Sequence, residues 1–253
     1  MSVTVFSSTG CIRCEIVKKY FNGRTILFTE HDIKTSGGND VFKAFYRERR
    51  TDIRRDAAGI FFPVVEADGH IVQDAGATLA WFMCGSGLSA AVTPNNLGHG
   101  WIGGLDISAC PADHAAVFLE ILRLLKTGGL STELSCNGKN PVLLKAVLDD
   151  ALADRLQFRL TAGLAQQAEL AQSLRMAKQS AGKAEVLFTL DIQGPDGRLS
   201  PADTAELARF MNESTGDNRL PLRIINGLAG DEVNLFPYRT EARRWQVLAD
   251  LSR

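Results

Sequence analysis

Two cysteines spaced Cys-x-x-Cys, Cys11 and Cys14, stand where a short apolar run gives way to an amphipathic stretch. Val3 to Phe6 reads as a strand. After Cys11, Ile12, Ile16 and Tyr20 recur on one helical face with Val17 and Phe21 beside them, while Arg13, Lys18 and Lys19 point away. Asn22-Gly23 supplies the stop. This places the first sulfur at a helix N-terminus, where free N–H groups and the positive end of the dipole favour a thiolate. Arg13 adds a cation to the same loop. Such a pair suits reversible disulfide chemistry, in which Cys11 attacks and Cys14, one turn further on, resolves.

Metal binding and a fortuitous pair are the competing readings. A zinc or iron-sulfur site normally takes four ligands. Cys84, Cys110 and Cys136 are singletons, and His31, His70, His99 and His114 form no spaced ligand set. The expectation is therefore no metal, no required cofactor and no iron-sulfur cluster. Five cysteines with one close pair do not make a disulfide framework. In a reducing compartment a solitary CxxC points to catalysis or metal binding. Cys84, beside Trp81 and Phe82, reads as a small core residue.

The remaining bulk properties exclude several partners. The 253 residues are 45% hydrophobic and 23% charged, with net charge -1, which fits a soluble chain of about two domains. A near-neutral balance argues against nucleic acid as the main partner. The run Arg47, Arg49, Arg50, Arg54 and Arg55 is diluted by Glu48, Asp52 and Asp56 and reads as a solvated surface or a docking patch. The N-terminus lacks the pattern of a signal peptide, and no apolar stretch approaches the roughly 18 residues of a membrane span. A cytoplasmic location is expected.

Further along, Thr25 to Thr29 reads as a second strand and Asp40 to Arg49 as a helix with Val41, Phe42, Phe45 and Tyr46 on one face. Pro63 to Glu66 and His70 to Val72 flank Asp68-Gly69, a hairpin signal. Ala77 to Met83 reads as a closing helix. The order is βαβαββα over residues 1–85. Residues 86–100, rich in Gly, Ser, Asn and Pro, read as a linker. Over 101–253 the pattern is a βα repeat. It has strands near Trp101, at Leu134, Leu156–Leu160, Val186–Ile192 and Leu222–Ile225. Its helices run over Ala112–Lys126 and Pro141–Leu152, to about Ser180, from Pro201, and from Glu241. The fold class is α/β, with a parallel sheet or partial barrel in this second part.

The segments TVFSSTGCIRC, FTEHDI, FPVV and DGHIVQDAG, followed by the closing helix, resemble a glutaredoxin from end to end. That resemblance implies a thioredoxin fold with Cys11 as nucleophile and Cys14 as resolving thiol. It also implies a cis Pro63 beside the pair, preceded by Phe62, that offers backbone groups to a bound peptide or to glutathione. Gln73 and Asp74 fall where glutaredoxins hold the other end of glutathione, although Asp74 reads equally well as a helix cap. The sequence departs from the family in its Ile-Arg between the cysteines, in Ser8-Thr9 where many members carry a lysine, and in Val72-Gln73 for the usual Gly-Gly.

Residues 101–160 resemble the middle of a radical S-adenosylmethionine activating enzyme of the anaerobic ribonucleotide reductase or pyruvate formate-lyase kind. Gly103-Gly104 stands for the glycine pair of those enzymes, Cys136-Asn137-Gly138 with Asn140-Pro141 for their Thr-Asn-Gly turn, and Asp154 to Leu160 for the next strand. The three cluster cysteines of that family are missing, and Asp106 is displaced from the glycines by Leu105. Together the features give a thiol-disulfide oxidoreductase whose appended domain positions a partner. That partner is a disulfide-bearing protein or a glutathione mixed disulfide, and the activase-like half points to anaerobic ribonucleotide reduction. A redox-sensing adaptor and one part of a split radical enzyme are the alternatives.

Overall fold

The computed structural model describes residues 2–57, 59–95, 97–98, 100–160, 168–180, 182–191, 193–194, 197–198, 200–216, 221–225 and 246–249. The chain divides into two compact units, Met1–Glu133 and Leu134–Arg253.

The first unit is built on a mixed four-stranded sheet. Its elements are β1 (Val3–Ser7), α1 (Ile12–Gly23), β2 (Thr29–Asp32), α2 (Ser36–Glu48), a small ribbon of β3 (Arg55–Asp56) and β4 (Gly59–Ile60), β5 (Val64–Ala67), β6 (His70–Gln73) and α3 (Ala75–Cys84). The sheet order is β2-β1-β5-β6. β1 runs parallel to β2, whereas β5 is antiparallel to both β1 and β6. β5 and β6 close around Asp68-Gly69, as the hairpin signal implied.

Strand alternation sorts the core. Phe6 packs against Phe42 and Phe45 of α2, with ring centroids 5.1 and 4.7 Å away. α1 and α3 meet through Phe21 and Phe82, 4.5 Å apart. Burying a phenylalanine such as Phe6 contributes roughly 1.5–3 kcal/mol.

Two expected boundaries move. The second strand is Thr29–Asp32, not Thr25–Thr29. Thr25 adopts a positive φ of 53° and Ile26 donates its N–H back to Phe21, so the chain is still turning there. Leu27 is 88% exposed, although it sits among strand formers. α2 begins earlier than expected because the Thr35 hydroxyl accepts from the Gly38 N–H and caps it.

Residues 85–95 follow α3 closely. A 3-10 turn, Gly85–Leu88, buries Leu88, and Ala91 and Val92 are buried too. Thr93 N donates to Gly104 O (2.8 Å) and Asp106 N to Ala91 O (2.7 Å), tying the expected linker to β7 (Trp101–Asp106). A 3-10 turn, Ala112–His114, then leads into α4 (Ala115–Thr127).

The unit boundary falls inside β8 (Ser131–Cys136). In the second unit, α5 (Pro141–Asp149), β9 (Arg155–Leu160), α6 (Ala168–Gln179), β10 (Glu185–Asp191), the ribbon β11 (Gln193–Gly194) and β12 (Gly197–Arg198), α7 (Pro201–Thr215), β13 (Pro221–Ile225) and β14 (Gln246–Ala249) follow. β9, β10, β13 and β14 are parallel neighbours, each laid beside its predecessor, in the βα-repeat manner that the alternating pattern predicted. Ser200 caps α7 in a reciprocal capping box with Asp203. The helix expected from Glu241 meets a strand instead at Gln246, and residues 241–245 lie outside the described residues.

Candidate redox site

Cys11 is the N-cap of α1. Its backbone is extended (φ -83°, ψ 103°), its N–H donates to Ser8 O (2.9 Å), and its sulfur accepts from Cys14 N–H at 3.1 Å. Cys11 and Cys14 are joined by a disulfide, with Cα atoms 5.3 Å apart. The two sulfurs are not equivalent. Cys11 is half-buried, while Cys14 is fully buried behind it. An attacking thiol must be reachable and a resolving thiol need only reach its neighbour, so burial alone orders the roles. The free N–H groups of the first turn lie where a reduced Cys11 would carry its charge.

Arg13, which the sequence places beside the sulfurs, is engaged by other groups. Its Nε lies 3.6 Å from the Asp74 carboxylate, and its Nη2 donates to Leu97 O (2.9 Å) and to Trp101 O. The physical reason is Asp74 itself, whose side chain is 1% exposed and needs a counter-charge. Asp74 also caps α3 through the Ala75 N–H (2.7 Å) and accepts from the Asn95 N–H (3.3 Å). Burial pushes its carboxyl above the usual range, opposed by Arg13 and by those two amides.

The Phe62–Pro63 peptide is cis, the isomer the sequence suggested, and Pro63 O accepts from Asp74 N–H. Gln73 is turned inward. Its Oε1 accepts from Arg54 N–H (2.6 Å), and its Nε2 donates to Arg54 O (3.0 Å) and Phe61 O (3.3 Å), pinning β6 to the chain ahead of β5. Arg13 and Asp74 are thus brought together, Phe62 faces the same opening as Cys11, and Gln73 is held by backbone groups.

That opening is a cleft of about 520 Å³, whose walls include Cys11, Ile12, Ile60, Phe62, Leu97 and Leu130. One wall residue escaped the sequence reading. Lys34 donates its Nζ to Thr9 O (2.8 Å), so a lysine reaches the loop before the cysteines from after β2 rather than from within the loop. Asp32 binds the same loop, accepting from the Thr9 hydroxyl and N–H. The Thr9 hydroxyl and the Lys34 N–H hold its carboxyl below the ordinary value. The signal lay in strand register: Ser7 pairs with Asp32, which sets Lys34 beside the residues that follow Ser7.

Of the other thiols, Cys84 is half-buried and Cys110 and Cys136 are buried. Cys84 donates to Ala80 O, and burial raises its pKa. Cys110 is buried, and burial, reinforced by Asp113 and Cys84, pushes its thiol up to about 11. Cys136 is buried and accepts from Gly138 N–H at 3.2 Å. Gly103 and Gly104 lie inside β7. Gly104 has a φ of 70°, and a Cβ there would collide with Thr93 O, so backbone conformation and close packing both call for glycine. Asn140 caps α5 from a left-handed conformation. Among the described residues, no group of three His, Cys, Asp or Glu could hold a metal ion, and no helix is long and apolar enough to cross a membrane.

A β1-α1-β2-α2-β5-β6-α3 unit with a disulfide-linked CxxC at the start of α1 is a thioredoxin-like fold. The chain matches no protein-family model, no curated protein and no solved structure.

Proposed function

We propose that the protein is a thiol-disulfide oxidoreductase working through Cys11 and Cys14. The observation that carries this is the asymmetry of the pair: Cys11 opens onto the cleft at a helix N-terminus, and Cys14 is buried one turn behind it. The Cys11 thiolate attacks one sulfur of a substrate disulfide. That bond breaks, the other substrate sulfur leaves as a thiolate and takes a proton from water, and a mixed disulfide forms on Cys11. The Cys14 thiol gives up its proton and attacks the Cys11 sulfur, and the second substrate thiolate departs and is protonated. Two electrons have passed to the substrate, and a dithiol reductant restores the Cys11–Cys14 pair.

Phe62 supplies a wall of this cleft, and Pro63 fixes the chain beside it through the Asp74 N–H. The glutaredoxin resemblance supports a substrate that is a protein disulfide or a glutathione mixed disulfide. The activase resemblance supports a partner-positioning role for residues 101–253 in anaerobic ribonucleotide reduction. The test is reduction of a disulfide with dithiothreitol as electron source, comparing wild type with Cys11→Ser and Cys14→Ser. Cys11→Ser should abolish the turnover above that of dithiothreitol alone, and prereduced Cys14→Ser, freed of dithiothreitol before the disulfide is added, should trap a mixed disulfide visible by mass. Equal turnover in wild type and Cys11→Ser would overturn the proposal.

A further inference from the structure

The segment carrying Asn95, Leu97 and Trp101 forms one side of the Cys11 cleft, and it is fastened there by the Arg13–Asp74 pair. Arg13 binds the carbonyls of Leu97 and Trp101, and Asp74 binds the Asn95 N–H. The Leu97 side chain lies against the face of Gly103, where a Cβ would meet it. Two consequences follow for what the cleft can hold. Of the two Lys and Arg side chains among the described lining residues, Arg13 is committed to Asp74 and the carbonyls, leaving Lys34 at the exposed rim. Among the described residues no carboxylate lines the cleft, while Ile60, Phe62 and Leu97 give it apolar walls.

We infer that Leu97, held by the Arg13–Asp74 pair, is a specificity wall that restricts exchange at Cys11 to protein disulfides flanked by apolar side chains. This rests on the thiol-exchange reading above and narrows its substrate. A free tripeptide disulfide such as oxidised glutathione carries ammonium and carboxylate groups at its ends. Placing them against these walls gives the ammonium no carboxylate partner among the described lining residues and, of their side-chain cations, leaves Lys34 for the carboxylates, and burying poorly paired charge is costly. A disulfide within a protein has no such ends and gains from apolar contact.

The test uses the prereduced full chain mixed with excess insulin, whose disulfides are the protein probe, or with oxidised glutathione. Oxidation of Cys11 and Cys14 is followed by acid quench and mass. Each rate is divided by that of free dithiothreitol with the same disulfide. Wild type should favour insulin by about a hundredfold, and Leu97→Ala should narrow that preference by about tenfold, on the scale that one reshaped apolar pocket commands. The double variant R13Q/D74N, which releases the segment without leaving a lone buried charge, should narrow it similarly. If it fails to fold, Leu97→Ala carries the test. A wild-type ratio near unity, or one that Leu97→Ala leaves unchanged, overturns the wall while leaving the exchange reaction standing. If neither disulfide reacts faster than with free dithiothreitol, the thiol-exchange reading itself fails, and the wall with it.

Discussion

Arg13, one of the two residues between the accessible and the sheltered cysteine, holds its Nε 3.6 Å from the buried carboxylate of Asp74, 61 residues later in the chain. The side chains are 13% and 1% exposed, so the pair is nearly sealed from water. Removing one partner leaves the other charge without compensation, which typically costs about 3–5 kcal/mol. Arg13→Ala should lose stability on that scale in urea unfolding. It also loses the bonds to Leu97 and Trp101, so the loss should exceed that of Asp74→Asn, in which the Arg13 guanidinium keeps both carbonyl partners. A loss below about 1 kcal/mol for Arg13→Ala, the range of exposed ion pairs, would mean the pair contributes little.

Gly37 and Gly38 are adjacent in the first turn of α2 yet face different surroundings. A Cβ on Gly37 meets nothing, whereas one on Gly38 would run into the carbonyl of Asp32. Gly37→Ala should leave stability unchanged or raise it by up to about 1 kcal/mol through helix propensity. Gly38→Ala should cost about 1–3 kcal/mol, the range of overpacked positions. Thermal unfolding of the two variants decides it, and similar midpoints would mean α2 shifts without penalty.

Much of this unit was legible because its signals are local. The Asp68-Gly69 turn, the short apolar run Val3 to Phe6 and the stop at Asn22-Gly23 each act over a few residues. The thioredoxin-like order and the disulfide pair followed from them. What escaped depends on tertiary contact. Nothing near Arg13 in sequence announces that Asp74 is buried and pairs with its guanidinium. Thr25 to Thr29 has strand composition, yet the helix-terminal turn at Thr25 delays the strand, and Leu27 stays in solvent. Gln73 resembles a ligand-binding amide until Arg54 and Phe61 are seen to occupy it.

The Thr9 hydroxyl is the largest cause of the lowered Asp32 pKa, ahead of the Lys34 amide. A carboxyl whose folded pKa is depressed adds stability above its unfolded pKa, and that stability is lost as pH falls through the folded value. Thr9→Val removes the hydroxyl donor and keeps the backbone ones. The Asp32 carboxyl should therefore titrate at higher pH in Thr9→Val than in wild type, followed by carbon NMR of the carboxyl. An unchanged midpoint would show that the backbone donors alone hold the Asp32 charge.

The thiols should also separate by reactivity once the disulfide is reduced. Alkylation needs thiolate and access together. Cys11 has access and a helix N-terminus behind it. Cys110 has neither advantage: it is buried and its pKa is raised to about 11, so at pH 8 only roughly one thiol in a thousand is ionised. Acid in place of alkali makes the contrast larger, because lowering the pH depletes the Cys110 thiolate tenfold per unit while a helix-stabilised thiolate persists longer. Brief iodoacetamide treatment of the reduced, folded chain followed by peptide mass mapping should label Cys11 first. Cys110 and the buried Cys136 should stay unlabelled until urea is added. Early labelling of Cys110 would mean that the core at the end of α3 opens readily, and labelling of Cys14 ahead of Cys11 would reverse the assignment of attacking and resolving thiols.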